Sequence, residues 1–382
     1  MTAVLSEEQK REFVKRGFSR RTFGRIATML TAGAALPFYN ESALAQLSRV
    51  EAPADSVWIN SNENPLGPSP EAREAAKKMV DQGGRYLFGE AGKVQTLLAE
   101  QEGVKQNYVA VHAGSSGPLH QAVLAFCSPT KPFVTADPGY EAGAKAAGFI
   151  GAKVVRVPLT NDYAHDVKAM VAAAPDAGLF YICNPNNPTG TLTKREDIEW
   201  LVANKPAGSI VMVDEAYTHI AGPHLFNTNL VAADKDVVIL RTFSKIYGMA
   251  GLRAGAAIAR PDLLAKIVGF SPNGMMPITA MAAASASLES KTLVPERRKL
   301  IGDVREDTLG FLEKHNFKYV PSVSNCFMVD VKRPGRQIQN ALVAEKVVIG
   351  RVWDVWPTYV RVTVGLPDEM NKFKAAFLKV MA

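Results

Sequence analysis

Val237-Val-Ile-Leu-Arg-Thr-Phe-Ser-Lys-Ile-Tyr-Gly-Met-Ala-Gly-Leu-Arg253 joins a continuous apolar run to a lysine flanked by hydroxyls, and closes on an arginine. A run that is apolar at nearly every position, rather than at alternate ones, reads as a strand covered on both faces. That is the habit of parallel sheets packed between helices. Similar runs lie at 108–113, 133–136, 152–157, 179–183, 210–214 and 252–259, separated by helical stretches. The expected fold is therefore α/β, with a large domain built on a mostly parallel sheet between helices. Ligands of such sheets bind at the carboxyl ends of the strands, and Lys245 falls just beyond one of those ends.

Two other strand ends carry chemistry. Asn184-Pro-Asn-Asn-Pro-Thr-Gly190 follows the run 179–183 and has the turn-forming density of a rigid loop, offering Asn187 as a donor to an aromatic hydroxyl. Ile210-Val-Met-Val-Asp-Glu-Ala-Tyr217 is a buried strand ending in a carboxylate. Asp214 there either caps the segment that follows or pairs with a protonated pyridine nitrogen and keeps the ring an electron sink. A lysine beside serines is ordinarily a solvated surface group. In this company Lys245 suits a Schiff base with pyridoxal phosphate, with Thr242 or Ser244 and Arg253 on the phosphate, and with Asn187 and Tyr217 sharing the phenolic oxygen. More phosphate donors come from Val109-Ala-Val-His-Ala-Gly-Ser-Ser-Gly-Pro118, read as a strand, a small-residue turn and a helix from about residue 119. Free N–H groups at a helix start attract an anion, and Ser115 and Ser116 stand there. Tyr140, in Asp137-Pro-Gly-Tyr140, is either a ring stacked on the pyridine face or simply core.

From about residue 56 to its end the chain resembles the fold-type-I pyridoxal-phosphate aminotransferases, and more narrowly the histidinol-phosphate aminotransferase group. The resemblance runs through Asn62-Glu-Asn-Pro-Leu-Gly-Pro-Ser-Pro70, the Asn187 loop, the Asp214 strand, the Lys245 segment and Arg361-Val-Thr-Val-Gly365. It implies that Lys245 is the Schiff-base lysine, that Asp214, Asn187, Tyr217, Arg253 and Thr242 or Ser244 hold the cofactor as above, and that Arg361 binds the substrate α-carboxylate. Asn64 and Arg351 are implied as further substrate ligands, Arg351 for a phosphate. Tyr86, in Gly84-Arg-Tyr86, is implied to reach a neighbouring subunit's cofactor phosphate, which makes a homodimer the expected assembly. Three departures stand out: Leu66 replaces a usual tyrosine, Ser116 replaces an acidic or amide residue, and Leu87-Phe-Gly-Glu90 replaces the usual proline and aspartate. The implied activity is ping-pong exchange of an amino group between an amino acid, or a histidinol-phosphate-like amine, and a 2-oxo acid. Decarboxylation of a phosphorylated amino acid is the alternative on the same scaffold.

The N-terminus carries a second message. Ser19-Arg-Arg-Thr-Phe-Gly-Arg25 is followed by the mildly apolar stretch 26–38 and by Ala43-Leu-Ala45, in the order of a signal peptide. The expectation is a twin-arginine export signal over 1–45, cut after Ala45, and hence contact with the export machinery and a periplasmic or extracytoplasmic destination. The apolar stretch is too short and too rich in small residues for a stable membrane span. Losing seven basic and four acidic side chains with this segment takes the formal charge from +7 to +4, and no basic run remains to suggest a nucleic-acid partner. Cys127, Cys183 and Cys326 lie scattered in apolar segments, which suits buried free thiols rather than a disulfide framework, and no Cys/His spacing suggests a metal.

The remaining chain divides into an arm over 46–80 that joins the small domain, a large cofactor domain over 81–272, and a small α+β domain over 273–382. The last contains a helix at 294–316, a strand at 326–331, a helix at 337–346, a strand at 359–365 and a final helix from 369. Trp353-Asp-Val-Trp-Pro-Thr-Tyr359 either lines a side-chain pocket or belongs to the core of this domain.

Overall fold

A computed structural model describes residues 7–19, 21–22, 24, 26, 40–46, 51–270 and 275–382. Arg20 of the arginine pair, the stretch 27–39 and the expected breakpoint at 272 lie outside the described residues.

β1 (Val57–Ile59) precedes a seven-stranded sheet of β2 (Val109–His112), β3 (Phe133–Asp137), β4 (Val154–Pro158), β5 (Leu179–Cys183), β6 (Ile210–Asp214), β7 (Val237–Thr242) and β8 (Gly255–Ala259), in the order β2-β8-β7-β6-β5-β3-β4. Each of the seven apolar runs forms one strand, and β5 to β8 are buried at every position. All run the same way except β8, which is antiparallel to both neighbours. The reversal has a simple cause: the link 243–254 is too short and too irregular to carry a helical crossover, which a parallel pair requires. Its effect is to fold the whole lysine segment back over the carboxyl end of β7, with Thr242 opposite Gly255.

The C-terminal part contains β9 (Tyr319–Val320), β10 (Cys326–Asp330), β11 (Val347–Ile349) and β12 (Tyr359–Thr363). Here β12, β10 and β9 form an antiparallel sheet, while β11 pairs in parallel with β1. The strand of the N-terminal arm thus joins the C-terminal part. The helix Pro70–Val80, begun by the Ser69 side chain accepting the Ala72 N–H at 3.2 Å, packs instead on the helix Ile278–Glu289, which also meets the helix Phe88–Glu102.

Residues ahead of the arm also pack on the body. Arg16 Nη2 donates to the carbonyls of Leu124 and Cys127 at 2.7 and 2.8 Å, capping the end of the helix Ser116–Phe126. Phe13 and Phe18 are buried with ring centroids 5.0 Å apart. A short helix, Glu41–Gln46, is begun by Asn40, whose side-chain oxygen accepts the Ala43 N–H at 2.8 Å. All three cysteines are buried and free. No helix among the described residues is long and apolar enough to cross a membrane.

Candidate active site

Six strands ending on one side bring their following loops to one rim, and a cavity of about 330 Å³ opens there. It is lined by Ser115, Ser116, Tyr140, Asn187, Asp214, Tyr217, Thr242, Ser244, Lys245 and Arg253, residues scattered over 139 positions of the chain but adjacent in the fold.

One end of the cavity is built for an anion. The helix Ser116–Phe126 begins there with Ser115 as its first flanking residue, so unpaired N–H groups face the space. It starts three residues ahead of the expected 119, because Gly117 and Pro118 are accommodated in the first turn. Thr242 Oγ1 donates to Ser244 Oγ at 2.9 Å, and Arg253 Nη1 donates to Ser244 Oγ at 3.4 Å and to the Ala250 carbonyl at 2.8 Å. Gly114 sits at φ 88°, and a Cβ there would come within 2.1 Å of Arg253 Nη2. Glycine is therefore needed for the guanidinium to reach this end of the cavity. Thr242, Ser244 and Arg253 thus share one cluster, so the alternatives at Thr242 and Ser244 are two parts of a single network.

Asp214, which closes β6, also lines the cavity. Its Oδ2 accepts from the Tyr181 hydroxyl at 2.8 Å and its Oδ1 accepts the Ala216 N–H at 3.2 Å. Burial raises its pKa to about 6 against the opposing effect of these donors. A cationic ring nitrogen is the partner such a carboxylate lacks. Tyr217 presents its hydroxyl oxygen to Asn62 Nδ2 at 3.0 Å and to Asn187 Nδ2 at 3.2 Å. Tyr140 is buried against the cavity and hydrogen-bonds the Ser116 side chain.

Lys245 Nζ donates to the Asn62 carbonyl at 2.8 Å and lies 5.5 Å from the Tyr217 ring centre. Burial lowers its pKa, with Glu41 acting the other way and Arg361 adding to the fall. Hydroxyls, a glycine-opened guanidinium and a helix start, together with a buried carboxylate in the same cavity, fit the phosphate and the pyridine nitrogen of pyridoxal phosphate. Lys245 lines the same cavity.

Beyond the lysine lie two buried arginines. Arg361 Nη1 donates to Asn187 Oδ1 at 2.9 Å and its Nη2 to the Asn60 carbonyl at 2.6 Å. Arg351 Nη1 meets both oxygens of Glu141 at 2.8 Å. Between them sits the carboxylate of Glu41, 2.8 Å from Arg361 Nη2, 3.2 Å from Arg351 Nη2 and 3.3 Å from Asn187 Nδ2. Burial opposes ionisation of Glu41, but Arg351, Arg361 and Lys245 prevail and hold its pKa at about 2. Burial likewise opposes the Arg351 charge, and Glu41 and Glu141 more than offset it. The Trp353 indole backs both guanidiniums, at 4.8 and 5.6 Å, and its Nε1 donates to the Gly139 carbonyl at 3.1 Å. This tryptophan therefore supports the arginine pair from behind and does not line the cavity.

Two expected residues are elsewhere. Asn64 spends its amide on the Ile246 carbonyl, at 3.1 Å, and on the Leu66 N–H, at 3.2 Å, which ties the arm to the lysine segment away from the cavity. Tyr86 is 69% exposed and stacks on Phe88 at 5.7 Å, so it does not reach the cavity of its own chain. Sequence reasoning did not find Tyr181, Asn62, Glu141 or Glu41. Tyr181 left a signal, since a buried tyrosine on an apolar strand needs a partner for its hydroxyl. Glu41 left another: it is the one charged residue between Arg25 and Arg49.

The sequence pattern of the family described as aminotransferase class I and II matches residues 54–376. The chain is 32% identical over 352 residues to a histidinol-phosphate aminotransferase of Moorella thermoacetica, covering 91% of each. It is 34% identical over 328 residues to one of Symbiobacterium thermophilum, covering 84% of this chain and 90% of that one. Among solved structures, a candidate histidinol-phosphate aminotransferase of Erwinia carotovora atroseptica superposes with a TM-score of 0.82 at 31% identity, covering 87% of this chain and 98% of that one. The histidinol-phosphate aminotransferase of Sinorhizobium meliloti in complex with pyridoxal-5'-phosphate shares the fold, with a TM-score of 0.81 at 24% identity, over 92% of this chain and 96% of that one.

Proposed function

The chain belongs to the aminotransferase class I and II family, and from that premise we propose that its amino donor is an unphosphorylated α-amino acid gripped by Arg361. It is a pyridoxal-phosphate-dependent aminotransferase. The observation that carries the donor class is the arginine pair. Arg361, with Asn187 beside it, already holds one carboxylate, that of Glu41, in the place a donor's would take near Lys245, whereas Arg351 is held by both oxygens of Glu141 as well. A phosphate brought to Arg351 would meet the Glu141 charge at close range. Leu66 in place of a tyrosine removes a further phosphate donor. The names of the relatives favour histidinol phosphate, and that is the second reading.

Bound in the cavity, pyridoxal phosphate supplies an electron sink beside the donor's α-carbon. Asp214 would keep the ring nitrogen protonated, and Asn187 and Tyr217 would hold the phenolic oxygen. Arg361 orients the donor through its carboxylate. Lys245 Nζ, whose pKa burial lowers, takes the α-proton and returns it in the 1,3-shift.

Kinetics of two variants test the donor class. Arg361→Lys should lower kcat/KM on the best amino acid by roughly 10- to 100-fold, because a lysine cannot reproduce a two-pronged guanidinium grip. Arg351→Ala should lower it by less than about tenfold, because on this reading Arg351 does not touch the donor's carboxylate. A severe Arg351 defect confined to phosphorylated donors would overturn the reading.

Export by the twin-arginine route and homodimerisation complete the proposal. The ordered arginine pair, apolar stretch and Ala43-Leu-Ala45 support the first. Exposed Val80, Tyr86 and Phe88 support the second, as apolar side chains that a partner subunit would cover.

A further inference from the structure

Glu41 makes the contacts that a substrate carboxylate requires. Its Oε1 lies 2.8 Å from Arg361 Nη2, and its Oε2 lies 3.3 Å from Asn187 Nδ2 and 3.2 Å from Arg351 Nη2. Those Arg361 and Asn187 donors cannot serve a second carboxylate at the same time. The residue is carried there by a docked element rather than by a loose strand: Asn40 caps the helix Glu41–Gln46, and Leu44 on its next turn is 1% exposed. Asn40 and Glu41 both line the cavity.

We propose that residues 40–46 are an acidic ligand built into the chain, with Glu41 in the position of the donor's α-carboxylate, so that the uncut protein competes with its own amino-acid substrate. The proposal rests on Arg361 being the carboxylate site. The competition is intramolecular, and a tethered group acts at an effective concentration on the order of millimolar. Against an amino acid that binds with similar strength, such a ligand raises the apparent KM without lowering kcat. Acidification does not release it above the acid range, since its charge is held by two guanidiniums and an ammonium. Removal of the segment does. Ala45, the expected cleavage position, lies within the docked helix, so cutting there requires the segment to leave the site, and the cut then makes the opening permanent.

The test uses the full chain loaded with cofactor, as wild type, Glu41→Gln and Arg361→Lys. Three quantities are read: KM and kcat for the best amino donor, and hydrogen exchange of the 41–46 amides with and without succinate, an unreactive dicarboxylate. Glu41→Gln should lower KM roughly tenfold at unchanged kcat. Exchange at 41–46 should be slow in the wild type and faster in Glu41→Gln, in Arg361→Lys, or on adding succinate. An unchanged KM in Glu41→Gln, with exchange insensitive to succinate, overturns the proposal. If Arg361→Lys is crippled on amino acids at the same time, the donor reading survives that failure. If Arg361→Lys, made in the Glu41→Gln chain, keeps the KM of Glu41→Gln alone, the donor does not use Arg361, and the competitive ligand falls together with the donor reading.

Discussion

At the scale of single residues, Asp214 shows how a functional group is held against its own preference. Its carboxyl is raised from 3.8 to about 6 by burial, so the folded cofactor-free protein retains a proton that the unfolded chain gives up between those values. Stability of that form therefore falls as pH rises from about 4 to 6 and stays lower above, by an amount on the order of 3 kcal/mol. Asp214→Asn removes this pH dependence. Urea unfolding of the cofactor-free variant should show it more stable than wild type at pH 7, with the difference fading by pH 4, while transamination is lost. Equal stability at both pH values would mean that the carboxylate is compensated without cofactor. The identity of Asp214 was legible because a strand that is otherwise apolar ends on it. Its partner Tyr181 was not, because that contact depends on the register that sets Cys183 opposite Asp214.

Elements meet through a buried charge cluster. Arg241 on β7 donates to both oxygens of Glu102, at 2.7 Å each, on the helix Phe88–Glu102, and also to Glu215 just past β6. The Phe226 ring covers its guanidinium at 4.3 Å. One side chain thereby ties a helix to two strand ends directly behind Asp214 and Lys245. Breaking a buried pair leaves a charge without its partner. Glu102→Ala should cost about 3 kcal/mol in urea unfolding, the lower part of the usual range because Glu215 remains. A loss below about 1 kcal/mol would show that Glu215 alone satisfies the arginine. The strands themselves were legible from uninterrupted apolar runs, down to the identical bounds of β5 and β6. The antiparallel course of β8 and the Arg241 cluster were not, since both depend on what lies beside β7 in space.

For the whole molecule, export and assembly make one joint expectation. Protein recovered from the extracytoplasmic fraction should begin at Gln46 and sediment as a dimer, with the exposed pair Tyr86 and Phe88, 69% and 71% accessible in the single chain, covered by the partner. N-terminal sequencing and sedimentation velocity check both parts. Cytoplasmic retention with Met1 in place, or a fully active monomer at nanomolar concentration, would contradict them.

The order of motifs along the chain was enough to determine an α/β sheet and a lysine, aspartate, asparagine and arginine set at its carboxyl rim. Local apolar periodicity and turn chemistry are properties of neighbouring residues, and those a sequence displays directly. Tertiary structure alone decided what each group faces. It spent Asn64 on a backbone carbonyl, paired Arg351 with Glu141, set Trp353 behind both arginines, and brought Glu41 across 320 positions to Arg361. Such pairings follow from which buried charge lies nearest to which in a medium that screens poorly, and chain order carries no record of that distance.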